Sequence, residues 1–183
     1  MHGKTVRNPV YIDLPLPPRI AGFIRRIREK FDPPRAFLPA EITLTGSSGL
    51  GHVAPGQTLD SVAAEMDRIA ASFAPFSASF DNVERFPGTD IYFLNVKDPA
   101  PFEELHRAFA ASSIVFLPSP YPYRPHCTLK LRSVPSDVEL LELLFLDAPK
   151  ESFLLSELAA YELPTAESCE LLHRSPMKGT CRP

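Results

Sequence analysis

The sequence predicts an α+β domain. Segments of two-residue alternation, rich in Ile, Val, Thr and aromatic residues, lie between segments whose apolar residues recur at helical spacing. The 21 prolines fall almost entirely between these segments and mark their ends. Size agrees: 183 residues with 44% hydrophobic content fit one globular domain with a real core, with room for two lobes, whereas two separate domains would each be thin.

In chain order, residues 9–14 read as a first strand. Pro17 and Pro18 suit a helix entry, after which Ile20, Phe23, Ile24, Ile27 and Phe31 recur at helical spacing until Asp32-Pro33-Pro34 ends the run. Arg19, Arg25, Arg26, Arg28 and Lys30 give this helix a basic outer face, either merely solvated or a nucleic-acid contact. Residues 39–46 alternate as a second strand. The glycine- and serine-rich residues 46–57 follow as a loop suited to cradling a phosphate on backbone N–H groups, although they match neither a P-loop nor a dinucleotide fingerprint. Thr58 is an N-cap for a helix with Leu59, Val62, Ala63, Met66, Ile69, Ala70 and Phe73 inside. Residues 76–83 and 90–96 read as strands joined through Pro87-Gly88. Residues 99–111 form a helix with Phe102, Leu105 and Phe109 inward; His106, one position off that stripe, is taken as structural. A proline-rich connector, 114–122, leads into a strand at 123–131. A Leu-rich helix at 137–146, a long strand at 152–163 and a short strand at 169–173 complete a single domain over 1–175, with 176–183 as a loosely held tail. His173, near that tail, is assigned no role.

Composition excludes several classes. A net charge of −3 and a pI near 6.0 oppose bulk-charge binding of duplex DNA, leaving a small or single-stranded phosphorylated partner. Cys127, Cys169 and Cys181 form no paired framework, which suggests a reducing compartment. The N-terminus lacks a signal-peptide core and no run is long enough to span a membrane, so a cytoplasmic protein is expected.

The chemistry concentrates in Tyr123-Arg124-Pro125-His126-Cys127-Thr128-Leu129-Lys130-Leu131. As a strand, it sends Arg124, His126, Thr128 and Lys130 to one face and Tyr123, Cys127, Leu129 and Leu131 to the other. The polar face suits an anion: Arg and Lys give charge-assisted hydrogen bonds, Thr adds a donor, and His exchanges a proton near neutral pH. Pro39-Ala40-Glu41-Ile42-Thr43-Leu44-Thr45 looks like a second copy, with Glu41, Thr43 and Thr45 on one face. Each copy has an acid/base residue, an apolar residue, Thr and Leu, and His126 follows Glu41 by 85 positions (126 − 41).

On these two motifs the chain resembles the two-histidine (2H) phosphoesterases, the superfamily of 2′-5′ RNA ligase-like proteins and cyclic phosphodiesterases, whose signature is a pair of His-x-Thr/Ser strands at a similar separation. The resemblance covers most of the chain and departs from the family at Glu41, where the family has His. It implies two pseudo-symmetric lobes of antiparallel sheet with flanking helices around a central cleft. It also implies metal-independent acid/base chemistry on 2′,3′-cyclic phosphate or 2′-5′ phosphodiester bonds of nucleotides or RNA ends. Carried over by position, His126, Thr128 and Thr43 match the catalytic set and Glu41 takes the place of the first His; Arg124, Lys130 and Thr45 are candidates for substrate binding. With ordinary pKa values of about 4.3 for Glu and about 6.5 for His, Glu41 would serve as base and His126 as acid. An ionised Glu41 would, however, repel the phosphate. The alternatives are a catalytically impaired member that binds phosphorylated nucleotide or RNA, or a protein-interaction module. Another is that His52 folds back to replace the missing first His. Neither motif has metal-ligand spacing, and no cofactor is implied.

Overall fold

The computed structural model describes residues 3–46, 48–131, 133–166 and 168–180. Ser47, Cys181 and the last positions of the expected tail lie outside the described residues.

β1 (Val10–Pro15) buries Val10, Ile12 and Leu14 completely on one face. Pro17, in extended conformation, precedes α1 (Pro18–Phe31), where Pro18 occupies a position whose N–H has no partner in a helix. α1 buries Ile20, Ile24 and Phe31 and also Arg28, which the sequence placed on the basic outer face. Two of the outer cations are paired: Arg19 with Glu151 at 3.0 Å and Lys30 with Glu142 at 2.8 Å. β2 (Glu41–Thr45), β3 (Leu50–Val53) and α2 (Leu59–Ser72) follow, the last capped by the Thr58 side chain, which accepts from the Ser61 N–H. β4 (Phe76–Ala78), β5 (Phe80–Arg85) and β6 (Tyr92–Val96) lead to α3 (Ala100–Ala110), β7 (Phe116–Pro118) and β8 (His126–Lys130). α4 (Asp137–Leu144) starts at a Ser136/Glu139 capping box. β9 (Phe153–Leu155), β10 (Glu157–Thr165) and β11 (Ser168–Pro176) close the chain.

All named pairings are antiparallel. One lobe is the sheet β11-β10-β1-β2 and the other the sheet β5-β6-β8, with β3-β7 and β4-β9 as two-stranded ribbons. A continuous core runs from Ile12, Leu14 and Ile42 through Leu94 and Cys127 to Phe102 and Phe109. Among the described residues, no helix is long and apolar enough to cross a membrane.

Several boundaries differ from the expectation: the strand expected at 76–83 divides into β4 and β5, which pair with β9 and β6, and the short strand expected at 169–173 is the longer β11. Residues 46–57 are not a free loop, since β3 pairs with β7 inside the proline-rich connector. The glycines there serve close approach: a Cβ on Gly51 would stand 2.4 Å from the Leu117 carbonyl oxygen, and Gly49, at φ +65°, lies against His106 and Tyr123. Gly51→Ala therefore lowers the urea midpoint by an amount equivalent to about 1–3 kcal/mol, because the clash is with backbone. The long strand at 152–163 divides into β9 and β10, which pair with different partners, β4 and β1. Residues 177–179 are held rather than loose: Met177 is buried, and the Gly179 N–H donates to the Phe73 carbonyl at 2.9 Å.

Candidate active site

The two motif strands are each the last strand of their sheet, β2 in one lobe and β8 in the other, and they lie against each other. At this seam the Glu41 backbone N–H is directed at Cys127 Sγ, in the fully buried core. Burial pushes the Cys127 thiol up to about 12, so it is no nucleophile.

Both strands also carry the same irregularity. In β2, Asp13 pairs with Thr43 and Ile12 with Thr45, so Leu44 is an extra residue; in β8, Phe93 pairs with Thr128 and Tyr92 with Lys130, so Leu129 is the extra residue. A bulge of this kind interrupts two-residue alternation. It removes from the polar face the residue that follows it in each copy, which corrects two expected binding residues. Thr45 is fully buried, and its Oγ1 accepts from the Ile12 N–H at 3.2 Å. Lys130 is 3% exposed, and its Nζ donates to the Phe31 carbonyl at the end of α1 and to Ser133 Oγ. Neither group is free for a substrate.

The other predicted residues stay on the polar faces. Glu41 and Thr128 line one cleft of about 150 Å3, together with Tyr11, Arg28, Arg35 and Leu163. Thr43 is half-buried beside them on β2, its carbonyl held by the Tyr123 hydroxyl at 3.3 Å. His126 precedes Thr128 by two residues on the same strand face but sits deeper, 8% exposed, edge-on to Phe86 and Phe93 with ring centroids 5.0 Å away. Its Nδ1 lies 2.7 Å from the Arg124 carbonyl. A carbonyl only accepts, so Nδ1 carries the hydrogen and Nε2 is left with the lone pair in the neutral ring. Arg124, an expected substrate-binding residue, does not line that cleft; it is paired with Glu84 and stacked over Phe93 at 4.9 Å.

Arg28 was missed as a site residue. Its Nε and Nη2 donate to the Thr128 carbonyl at 3.0 and 2.9 Å, and its Nη1 donates to the Leu38 and Pro39 carbonyls at 3.1 and 2.8 Å. One guanidinium thus joins the approach to β2 with the middle of β8. A legible signal existed: Arg28 falls on the Ile20, Ile24, Phe31 stripe, four residues after Ile24 and three before Phe31.

Electrostatics reverse the expected order of the two acid/base groups. Burial pushes Glu41 up to about 7, against the pull of the Arg28 charge. Burial holds His126 below its ordinary value of 6.5, opposed by its bond to the Arg124 carbonyl and reinforced by the Arg124 charge. Near neutral pH this favours a protonated Glu41 and a neutral His126.

The remaining histidines are elsewhere. His52 is in β3, half-buried, and its Nδ1 has no hydrogen-bond partner; it is not part of the Glu41 cleft wall. His106 is structural, as expected: its Nδ1 bonds the Leu44 carbonyl at 2.8 Å and its ring stacks on Tyr123 at 3.8 Å. His173 pairs with Asp67 at 2.8 Å. Among the described residues, no group of three or more His, Cys, Asp or Glu is placed to hold a metal ion.

Fold and site together define a two-lobed α+β protein in which paired acid/base-x-Thr strands meet at a seam, with Glu41 and Thr128 in one small cleft. The chain belongs to the 2′-5′ RNA ligase superfamily, the 2H phosphoesterases, whose family model matches residues 16–165. Its fold is similar to that of TT0787 of Thermus thermophilus, with a TM-score of 0.65 and 17% identity, covering 93% of this chain and 98% of that one. It is also similar to E. coli LigT complexed with NADP+ (TM-score 0.62, 18% identity, 96% and 99% covered) and with 3′-AMP (TM-score 0.60, 19% identity, 95% and 99% covered). No curated protein is significantly similar in sequence.

Proposed function

We propose that this protein is a phosphodiesterase that opens 2′,3′-cyclic phosphates or cleaves 2′-5′ bonds at nucleotide or RNA ends, with Glu41 as general acid and His126 as general base. The observation that carries this reading is the seam itself: two edge strands from different sheets, each bulged after its Thr, with Glu41 and Thr128 in one cleft. The solved LigT complexes with 3′-AMP, NADP+, ATP and phosphate support a nucleotide-type ligand.

In this scheme His126 Nε2 takes the proton of the attacking water and Glu41 gives its proton to the departing ribose oxygen. The hydroxyls of Thr43 and Thr128 donate to the phosphate oxygens, where charge accumulates. The roles are the opposite of those expected from ordinary pKa values, and the exchange removes the repulsion between Glu41 and substrate, because a neutral carboxyl donates to an anion. A cleft of about 150 Å3 falls below the size of usual small-molecule sites. It accepts the phosphate while the nucleoside rests outside, against Arg35.

A second reading, binding without turnover, draws on Phe86, which stacks on Phe93 at 4.2 Å and covers one side of His126. One panel separates the two. Wild type, Glu41→Gln and Glu41→His are assayed on 2′,3′-cyclic nucleotides and 2′-5′-linked dinucleotides. The proposed enzyme turns over in the wild type, and Glu41→Gln loses about 10²- to 10⁴-fold in kcat with little change in KM. A silent wild type that gains activity in Glu41→His would establish the binder instead.

A further inference from the structure

Asp13 lies on β1 in register with Thr43. Two residues before Thr43 on the same face of β2 is Glu41, opposite Pro15, so the two carboxyls are diagonal neighbours across the strand pair. Asp13 is fully buried, and neither of its carboxylate oxygens has a hydrogen-bond partner; Glu41 Oε2 is likewise buried and unpartnered. Buried carboxylate oxygens without donors are uncommon and costly when charged. The groups that face the pair supply little compensation. Tyr11 on β1 and Tyr161 on β10 are phenols held above their ordinary value by burial, and Cys169 on β11 is a thiol shifted the same way. Cys127 on β8 is a neutral thiol. Arg174 on β11 is engaged by Glu157, and Arg28 on α1 spends its donors on three carbonyls.

We propose that Asp13 is a positioning residue that holds a proton jointly with Glu41, keeping Glu41 supplied as the acid for the leaving ribose oxygen. This rests on the phosphodiesterase reading above. Two adjacent carboxylates in one dry site cannot both ionise, so the pair loses its protons in two well-separated steps and retains one through neutral pH. Burial and the Glu41 charge both raise Asp13 well above its ordinary value, in keeping with this. When Glu41 gives its proton to the ribose oxygen, Asp13 faces the resulting carboxylate and donates to it. The proton taken by His126 from water later returns to the pair through solvent.

The test uses the full-length protein with 13C-labelled carboxyls, titrated by NMR, beside the pH profile of kcat/KM. In the wild type one carboxyl of the pair titrates near 7 and the other stays protonated well above it. In Asp13→Asn, an isostere, only Glu41 titrates, and the alkaline limb of kcat/KM moves about one unit lower while the rate on its acid side stays within a few-fold. Two carboxyls titrating below 5 in the wild type would overturn the shared proton, as would an unmoved alkaline limb in a folded Asp13→Asn. The NMR result is read without any substrate, so a shared proton in a protein that turns over nothing would refute the phosphodiesterase reading while leaving the carboxyl pair established.

Discussion

His126→Asn lowers kcat/KM for a 2′,3′-cyclic nucleotide by about 10²- to 10⁴-fold while leaving the fold intact. The Asn amide keeps a donor where Nδ1 stood, so the bond to the Arg124 carbonyl survives and only the Nε2 lone pair is lost. The side chain lies under Phe86 and Phe93, so removal of the whole ring by Ala would mix a cavity with a lost base; Asn reduces that ambiguity. A thermal midpoint close to wild type together with lost turnover assigns the effect to proton transfer. Wild-type turnover in His126→Asn would remove His126 from the mechanism.

Arg28→Met destabilises the protein by about 3–5 kcal/mol, read as a lowered urea midpoint at unchanged slope. The substitution keeps the apolar stem but leaves the carbonyls of Thr128, Leu38 and Pro39 without their donors in a residue that is 4% exposed. Arg28→Lys recovers less than half of the loss, because an ammonium cannot reproduce the planar fork that joins β8 to the segment leading into β2. An unchanged midpoint in Arg28→Met would show that the two lobes meet without this clamp.

Much of this was legible in the sequence because it depends on periodicity. The helices around Ile24, Met66 and Phe109 and the strands around Ile12 and Leu94 appear where apolar spacing placed them. The two-copy pattern also placed Glu41, Thr43, His126 and Thr128 on the two strands that meet at the seam. What failed depends on departures from period. Alternation alone puts Thr45 and Lys130 beside the motif residues, and nothing in Leu44 or Leu129 announces a bulge. β3 and β7 pair through glycine- and proline-rich residues of low strand propensity, so their pairing reflects tertiary approach, with Gly51 against Leu117. Asp13 was counted only as part of an apolar strand; its significance arises from the register with Thr43, which brings it beside Glu41. The proposed acid and base roles are the reverse of those expected for a similar reason, since burial that shifts both groups is a property of the assembled seam.

The pH dependence of the residual kcat/KM in Glu41→Gln tests the central assignment most directly. With the Glu41 carboxyl gone, His126 is the remaining member of the proposed acid/base pair, and as a base it is active only when deprotonated. The residual rate should therefore rise with pH through a value below 6.5 and then level off, while the alkaline limb of the wild type, no lower than about 7, disappears. A residual rate that instead falls as pH rises would show that His126 acts as the acid and Glu41 as the base.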